Sequence, residues 1–94
     1  MTDSVQILQT PAFKKAVKKW HANQRADLMQ AIKDLIANPL LGERKKGDLH
    51  YLRVYKFKMA KQLALLGYSY DEQVWVIELL ALSSHENFYR ELKQ

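Results

Sequence analysis

The spacing of the apolar residues changes after Asn38-Pro39, and this change limits the chain to folds that combine helices with a sheet. Upstream, apolar residues recur every three or four positions, which is the period of an amphipathic helix. They are Phe13, Val17 and Trp20 in one stretch and Leu28, Ala31, Ile32, Leu35 and Ile36 in the next. From Tyr51 onwards apolar and charged residues alternate, which is typical of a half-buried strand. The sequence therefore predicts helices first and strands afterwards.

The helix ends carry recognisable signals. Thr10-Pro11 predicts a capped helix start with proline at the first helical position. A short link at His21-Ala22-Asn23 joins the two helices, so we expect an antiparallel helical hairpin. Asn38-Pro39 ends the second helix. Before the first helix, Ser4 to Gln9 is short and partly apolar, and it predicts a first strand.

Three further strands follow the basic, turn-rich segment 41–48. The first begins near Tyr51 and has one aromatic and one cationic face, the second covers Gln62 to Tyr70, and the third covers Val74 to Leu82. Their short connections predict an antiparallel meander. Ser83, with Glu86 three residues later, matches a capping box and predicts a short C-terminal helix. The expected fold class is α+β, with the order β-α-α-β-β-β-α.

Length and composition exclude several classes of protein. The chain has 94 residues and no cysteine, which predicts a single domain over 1–94 without disulfides or cysteine-based zinc sites. Its first residues lack the basic and apolar regions of a signal peptide, and no apolar stretch is long enough to span a bilayer. We therefore expect a soluble, cytoplasmic protein that does not bind a membrane.

Positive charge is concentrated in the middle of the chain. The net charge is +5, yet the segment 44–61 alone carries +6, because it contains seven basic residues and a single acidic one, Asp48. The basic residues are Arg44, Lys45, Lys46, Arg53, Lys56, Lys58 and Lys61, with Tyr51, Tyr55 and Phe57 between them. Such a segment is suited to holding phosphates and stacking bases. The alternative is a solvated strand face that meets an acidic protein partner.

Two short motifs resemble the RelE/ParE superfamily of bacterial toxin–antitoxin toxins. Tyr55-Lys56-Phe57-Lys58-Met59 is similar to the lysine-bearing strand of the ribosome-dependent messenger-RNA endonucleases, and the segment 84–93 is similar to the superfamily's ending, His-x-x-x-Tyr or Arg-x-x-x-Tyr. Chain length and element order match along the whole chain. The resemblance implies an antiparallel sheet with the helical hairpin on one face, a concave basic face that enters the ribosome, and a cognate acidic antitoxin.

The resemblance leaves three functions open. The first is a toxin that inhibits translation by cleaving messenger RNA on the ribosome, an endoribonuclease without cofactor. The second is a ParE-like toxin that is not catalytic and inhibits DNA gyrase. The third is an attenuated member that acts through antitoxin binding and operon autoregulation. Many nuclease members carry arginines where this chain has Gln62 and Ser83.

Under the nuclease interpretation, a short list of residues carries the chemistry. His85 is the expected base, Tyr89 orients the substrate or stacks on it, and Lys56 and Lys58 stabilise the phosphate. In the expected C-terminal helix, His85 and Tyr89 lie one helical turn apart. The alternative interpretation is that His85 only helps to cap this helix and that Tyr89 is a core residue. The expected RNA-binding residues are Arg44, Lys45, Lys46, Arg53, Lys61 and Arg90. Three scattered histidines lack metal-ligand spacing, so we expect no metal site.

Overall fold

The computed structural model describes residues 5–84. Five strands, two helices and one 3-10 turn follow one another in the chain. They are β1 (Gln6–Gln9), α1 (Pro11–Val17), α2 (Ala22–Ala37), β2 (Glu43–Arg44), the 3-10 turn Gly47–Leu49, β3 (Arg53–Met59), β4 (Gln62–Asp71) and β5 (Val76–Ser84). The expected C-terminal helix, with His85, Tyr89 and Arg90, lies outside the described residues. Neither described helix is long and apolar enough to cross a membrane.

The strands form one mixed sheet in the order β1-β5-β4-β3-β2. β3, β4 and β5 make the predicted antiparallel meander, and β2 extends it with two residues from the segment that we expected to be loop. The expectation of an entirely antiparallel sheet is wrong at one edge, because β1 pairs with β5 in parallel. A parallel pair needs a long connection rather than a hairpin turn. Here the helices and the other three strands supply that connection.

The predicted start signals of α1 are present, and α2 begins at Ala22, within the segment that we expected to be a link. The Thr10 hydroxyl oxygen accepts a hydrogen bond of 3.1 Å from the backbone N–H of Phe13, and Pro11 occupies the first helical position. The Thr10 side chain also donates to the backbone oxygen of Leu79, at 3.2 Å, and so joins the start of α1 to β5. At the start of α2, the Gln24 side chain accepts a hydrogen bond of 2.8 Å from the backbone N–H of His21.

Both helices pack on the same face of the sheet. The main core combines residues of α1 and α2 with alternate residues of β3, β4 and β5, and its buried members are Phe13, Leu28, Leu35, Met59, Ala64, Leu66, Tyr68, Ile77, Leu79 and Leu82. A smaller apolar cluster lies on the opposite face and contains Leu52, Val54 and Leu65. The α+β class, with the helices on one face of the sheet, is therefore confirmed. Within residues 5–84, no helix covers the opposite face.

Candidate functional site

Lys56 and Lys58 project from the sheet face that α1 and α2 leave uncovered. Both side chains are exposed, whereas the residues that alternate with them, Tyr55, Phe57 and Met59, pack against the main core. Residues two apart in a strand lie roughly 6–7 Å apart on the same face. The predicted division of β3 into one aromatic and one cationic face is confirmed. The two lysines form a pair of neighbouring cations, which we call the lysine pair.

The register of the sheet connects the lysine pair to the end of β5. Lys56 pairs with Leu65 on β4, and Leu65 pairs with Ser83 on β5. Directly opposed residues share a face, and neighbouring strands are about 4.8 Å apart, so Lys56 and Ser83 lie on one face at roughly 10 Å. Ser84 is the last described residue, and His85 follows it in the chain. The structure thus brings the lysine pair and the end of β5 to one region.

Lys61 occupies a strained turn between β3 and β4. Ala60 and Lys61 have φ values of 52° and 75°, in the left-handed region that residues other than glycine adopt at a cost. The Asp27 carboxylate on α2 accepts a hydrogen bond of 2.8 Å from the backbone N–H of Ala60. A helix residue therefore holds the turn that carries one of the expected RNA-binding lysines, next in sequence to the end of β3.

The two arginines of the basic segment lie apart from the lysine pair. Arg53 alternates with Val54 and so belongs to the helix side of β3, and it pairs with Arg44 across β2. One terminal nitrogen of Arg53 donates to the backbone oxygen of Gly42 at 2.9 Å. Nε of Arg44 donates to the backbone oxygen of His50 at 3.3 Å. Each arginine thus uses one side-chain nitrogen to stabilise the backbone of a neighbouring loop.

The loop lysines have different surroundings. Lys45 forms an ion pair of 3.2 Å with Glu43, and about a quarter of its side chain is exposed (24%). Lys46 is exposed just before the 3-10 turn. The structure therefore divides the predicted RNA-binding residues into a group near the lysine pair, namely Lys61, and a group at the opposite end of β3.

Arg44 and Arg53 of that second group line a cavity of about 260 Å³, which we call the arginine cavity. Its lining residues are Leu40, Arg44, His50, Tyr51, Arg53, Tyr70 and Glu72. Neither Tyr70 nor Glu72 is among the site residues predicted from the sequence. No sequence signal identifies them, because only the pairing of β3 with β4 brings residues around position 70 next to the start of β3.

Two of the aromatic residues in the basic segment are partly buried on the helix side of β3. Tyr55 and Phe57 stack on each other, with ring centroids 6.1 Å apart, and pack against the main core. The Tyr55 hydroxyl donates to the Asp34 carboxylate on α2 at 3.1 Å. Loss of solvation on burial, and then this hydrogen bond, raise the pKa of Tyr55. Tyr51 is half exposed (51%), whereas Tyr55 and Phe57 are only partly exposed, and stacking of any of these rings on a base stays a prediction.

A comparison with protein families identifies the chain. The model of ParE-like toxins of type II bacterial toxin–antitoxin systems matches residues 7–93, which is almost the whole sequence. The chain belongs to this family. The resemblance inferred from the two short motifs is thereby confirmed. A comparison with curated protein sequences gave no match.

Solved structures of RelE toxins share the fold of this ParE-like toxin. The RelBE2 toxin–antitoxin complex of Mycobacterium tuberculosis contains a chain that is 17% identical, with a TM-score of 0.76 over 87% of this chain and 99% of that one. A chain of the intact Escherichia coli RelBE complex is 12% identical, with a TM-score of 0.71 over 86% and 96% of the two chains. A mutant of E. coli RelE in the free state is 13% identical, with a TM-score of 0.71 over 88% and 85%.

Proposed function

We propose that this ParE-like toxin inhibits translation by cutting messenger RNA on the ribosome, without a cofactor. The observation that carries the proposal is the lysine pair, which lies exposed on the face that the helices leave uncovered. The register runs from Lys56 through Leu65 to Ser83, two residues before His85 in the sequence. The likeness of the fold to RelE supports the same function.

The proposed reaction needs three groups. A base takes the proton of a 2′-hydroxyl, a second group orients the substrate, and cations stabilise the charge that builds up when the resulting oxygen attacks the adjacent phosphorus. The bond from phosphorus to the 5′-oxygen then breaks, and that oxygen takes up a proton from solvent water. We assign the base to His85, with Tyr89 orienting or stacking on the substrate. Lys56 and Lys58 stabilise the additional negative charge of the crowded phosphorus, since two cations about 6–7 Å apart can contact one phosphate from two sides.

The remaining basic residues are proposed to hold the RNA backbone. Lys61 adds a cation at the turn after β3, at the same end of the strand as Lys58. Arg44, Lys45, Lys46 and Arg53 supply positive charge at the other end of β3, where Arg53 lies on the helix side, and Arg90 completes the set. Contacts of this kind with phosphates supply affinity that falls as salt rises, and they carry little sequence information.

Primer extension on a reporter message after brief induction tests the proposal. We expect wild type to produce new 5′ ends inside translated codons, and His85→Ala and Lys56→Ala/Lys58→Ala to lose them, by roughly 10²-fold or more for the base. Lys33→Ala is the matched control, because Lys33 is also an exposed lysine and lies on α2, on the other side of the sheet. Circular dichroism of each variant establishes that it folds. Wild-type cutting by folded His85→Ala would refute the assignment of the base.

A second target deserves a test because the matching family model describes ParE-like toxins. Under that alternative the chain inhibits DNA gyrase and has no nuclease chemistry. Growth arrest with intact messages, together with loss of plasmid supercoiling by purified gyrase, would favour gyrase over the ribosome. Absence of arrest would instead favour an attenuated member that acts through its antitoxin.

We also propose an acidic antitoxin as the partner of this toxin. The family is one of toxin–antitoxin systems, and the similar chains come from RelBE complexes of M. tuberculosis and E. coli. The segment 44–61, with a net charge of +6, supplies charge complementary to an acidic peptide. A disordered acidic segment that folds on binding is the chemistry that such a surface favours.

A further inference from the structure

The arginine cavity contains charged groups of both signs that do not pair with each other. Arg44, Arg53 and Glu72 all line it, yet within residues 5–84 neither arginine forms an ion pair with Glu72. In the same range Glu72 has no hydrogen bond, Arg44 uses only Nε, and Arg53 uses only one terminal nitrogen. Several N–H donors and a carboxylate therefore remain available to a ligand in one cavity.

The walls of the arginine cavity are aromatic. Tyr51 is half exposed, and its ring and that of His50 are in a T-shaped arrangement, with centroids 6.3 Å apart and planes at 83°. Tyr70, on β4, lines the cavity as well and is half buried. Rings of this kind stack on the flat face of a nucleic-acid base, whatever the base. Leu40 adds an apolar contact. A planar ligand with hydrogen-bonding edges suits these walls better than a compact anion.

A second opening adjoins the arginine cavity and is basic. It shares Arg44 and His50 with the cavity and is completed by Lys45, Lys46 and Gly47, around a volume of about 420 Å³. Gly47 has a φ of 69° and nothing within 4 Å of the position of a Cβ, so the backbone is open to close approach there. Phosphate groups next to a base in the cavity would meet this basic loop.

We propose that the arginine cavity binds a single guanine base of an RNA strand. Guanine carries two acceptors, O6 and N7, which pair with an arginine, and two donors, N1–H and N2–H, which pair with a carboxylate. Arg44 or Arg53 and Glu72 supply both sets, and Tyr51 and Tyr70 supply the stacking surface. This inference rests on the proposed RNA target and deepens it. It names the base that the toxin recognises, at a site separate from the lysine pair.

A phosphate-only or acidic-peptide ligand fits the cavity less well. Glu72 would repel both, and neither uses the aromatic walls. The other bases match only part of the lining. Adenine and cytosine each offer a single exocyclic amino group to the carboxylate, and uracil offers a single ring N–H. Guanine is the base that satisfies the arginine and both oxygens of Glu72 at once.

Titration of the intact chain with the four ribonucleoside 5′-monophosphates, followed by NMR, tests this inference. We expect guanosine monophosphate to bind at least about tenfold more tightly than the other three, and to shift the resonances of Tyr51 and Tyr70. Glu72→Gln should remove about tenfold of that preference, since an amide offers one acceptor where the carboxylate offers two. Asp48→Asn is the control, because Asp48 is an exposed acid that does not line the cavity. Tyr51→Ala should weaken all four nucleotides about equally.

The outcomes separate this inference from the proposed nuclease function. Mononucleotides contain no internucleotide bond, so the titration does not depend on cleavage. A chain that cuts messages and binds the four nucleotides alike would overturn the guanine site and leave the nuclease proposal intact. A chain that prefers guanosine monophosphate and cuts nothing would support the site and refute the nuclease. The guanine site would also be overturned if inorganic phosphate caused the same resonance shifts as the nucleotides, or if polyglutamate caused shifts and no nucleotide did.

Discussion

The Asp27 carboxylate on α2 accepts a hydrogen bond of 2.8 Å from the backbone N–H of Ala60, in the turn between β3 and β4. Ala60 and Lys61 both have positive φ, without the glycine that usually relieves this conformation. Asp27 therefore stabilises a turn whose own residues disfavour it. The contact couples the helical layer to the turn that carries Lys61 and so to the end of the strand with the lysine pair.

Asp27→Ala should lower the free energy of unfolding by about 1–3 kcal/mol, because it leaves the half-buried N–H of Ala60 without an acceptor. Urea unfolding followed by circular dichroism measures this loss. Asp48→Asn, which changes an exposed acid in the 3-10 turn, should change the same free energy by less than about 0.5 kcal/mol. Equal stability of Asp27→Ala and wild type would show that the hydrogen bond contributes nothing to the fold.

Glycine at the two strained positions should stabilise the fold and separate structure from function. Ala60→Gly and Lys61→Gly each remove a Cβ from the left-handed region, and each should raise the free energy of unfolding by up to about 1 kcal/mol. Only Lys61→Gly should weaken RNA binding, since only it removes a charge. Urea unfolding, together with salt-dependent binding of a short RNA, distinguishes the two variants. Equal RNA affinity in both would remove Lys61 from the RNA-binding residues.

Gly42→Ala should destabilise the chain by about 1–3 kcal/mol through steric overlap. A Cβ at Gly42 would lie 2.7 Å from both Cε1 and the hydroxyl oxygen of Tyr68, whose side chain is fully buried. The Tyr68 hydroxyl also accepts from the Gly42 N–H at 2.9 Å and donates to the Pro39 oxygen at 2.7 Å.

The matched control for Gly42→Ala is Gly47→Ala, where the new Cβ meets no atom within 4 Å and the cost comes from the φ of 69° alone. We expect both variants to lose stability in urea, and Gly42→Ala also to change the near-ultraviolet signal of Tyr68. An unchanged tyrosine signal would argue against a displacement of the ring.

Stability should fall as the pH rises above about 10, the ordinary pKa of tyrosine. Burial raises the pKa of Tyr68, and burial followed by the hydrogen bond with Asp34 raises the pKa of Tyr55. Above the ordinary pKa the folded chain holds these protons while the unfolded chain releases them, so ionisation stabilises the unfolded state and the free energy of unfolding falls. The contribution is complete below the ordinary pKa and is lost as the pH rises through the raised pKa values. Urea midpoints between about pH 8 and 11 should fall less steeply for Tyr55→Phe/Tyr68→Phe than for wild type, and parallel curves would contradict this.

Association with an acidic antitoxin should be fast and sensitive to salt if the segment 44–61 steers it. We expect the association rate constant to fall by about tenfold or more between low and high ionic strength, and the dissociation rate constant to change little. Stopped-flow mixing of the cognate pair measures both constants. Lys56→Gln/Lys58→Gln should reduce the slope, whereas Lys33→Gln on the helical side should not. A rate indifferent to salt would show that this segment does not steer docking.

The sequence alone determined the local structure of this toxin, because the deciding interactions are between residues close in the chain. The change of apolar period after Pro39, the cap at Thr10 and the alternation of Tyr55, Lys56 and Phe57 each depend on neighbouring residues only. They predicted the helices, the meander and the division of β3 into two faces. The family also followed from two short motifs and their order.

The tertiary structure decided everything that depends on pairing between distant segments. Alternation shows that Lys56 and Lys58 share a face, yet only the packing of α1 and α2 shows which face they leave uncovered, and so why Tyr55 and Phe57 pack against the main core. Three other features also depend on contacts between distant segments. They are the parallel pairing of β1 with β5, the hydrogen bond between Asp27 and the turn at Ala60, and the cavity that Arg53 lines together with Tyr70 and Glu72. Such contacts are selected by the total burial of the folded chain, and no local pattern encodes them.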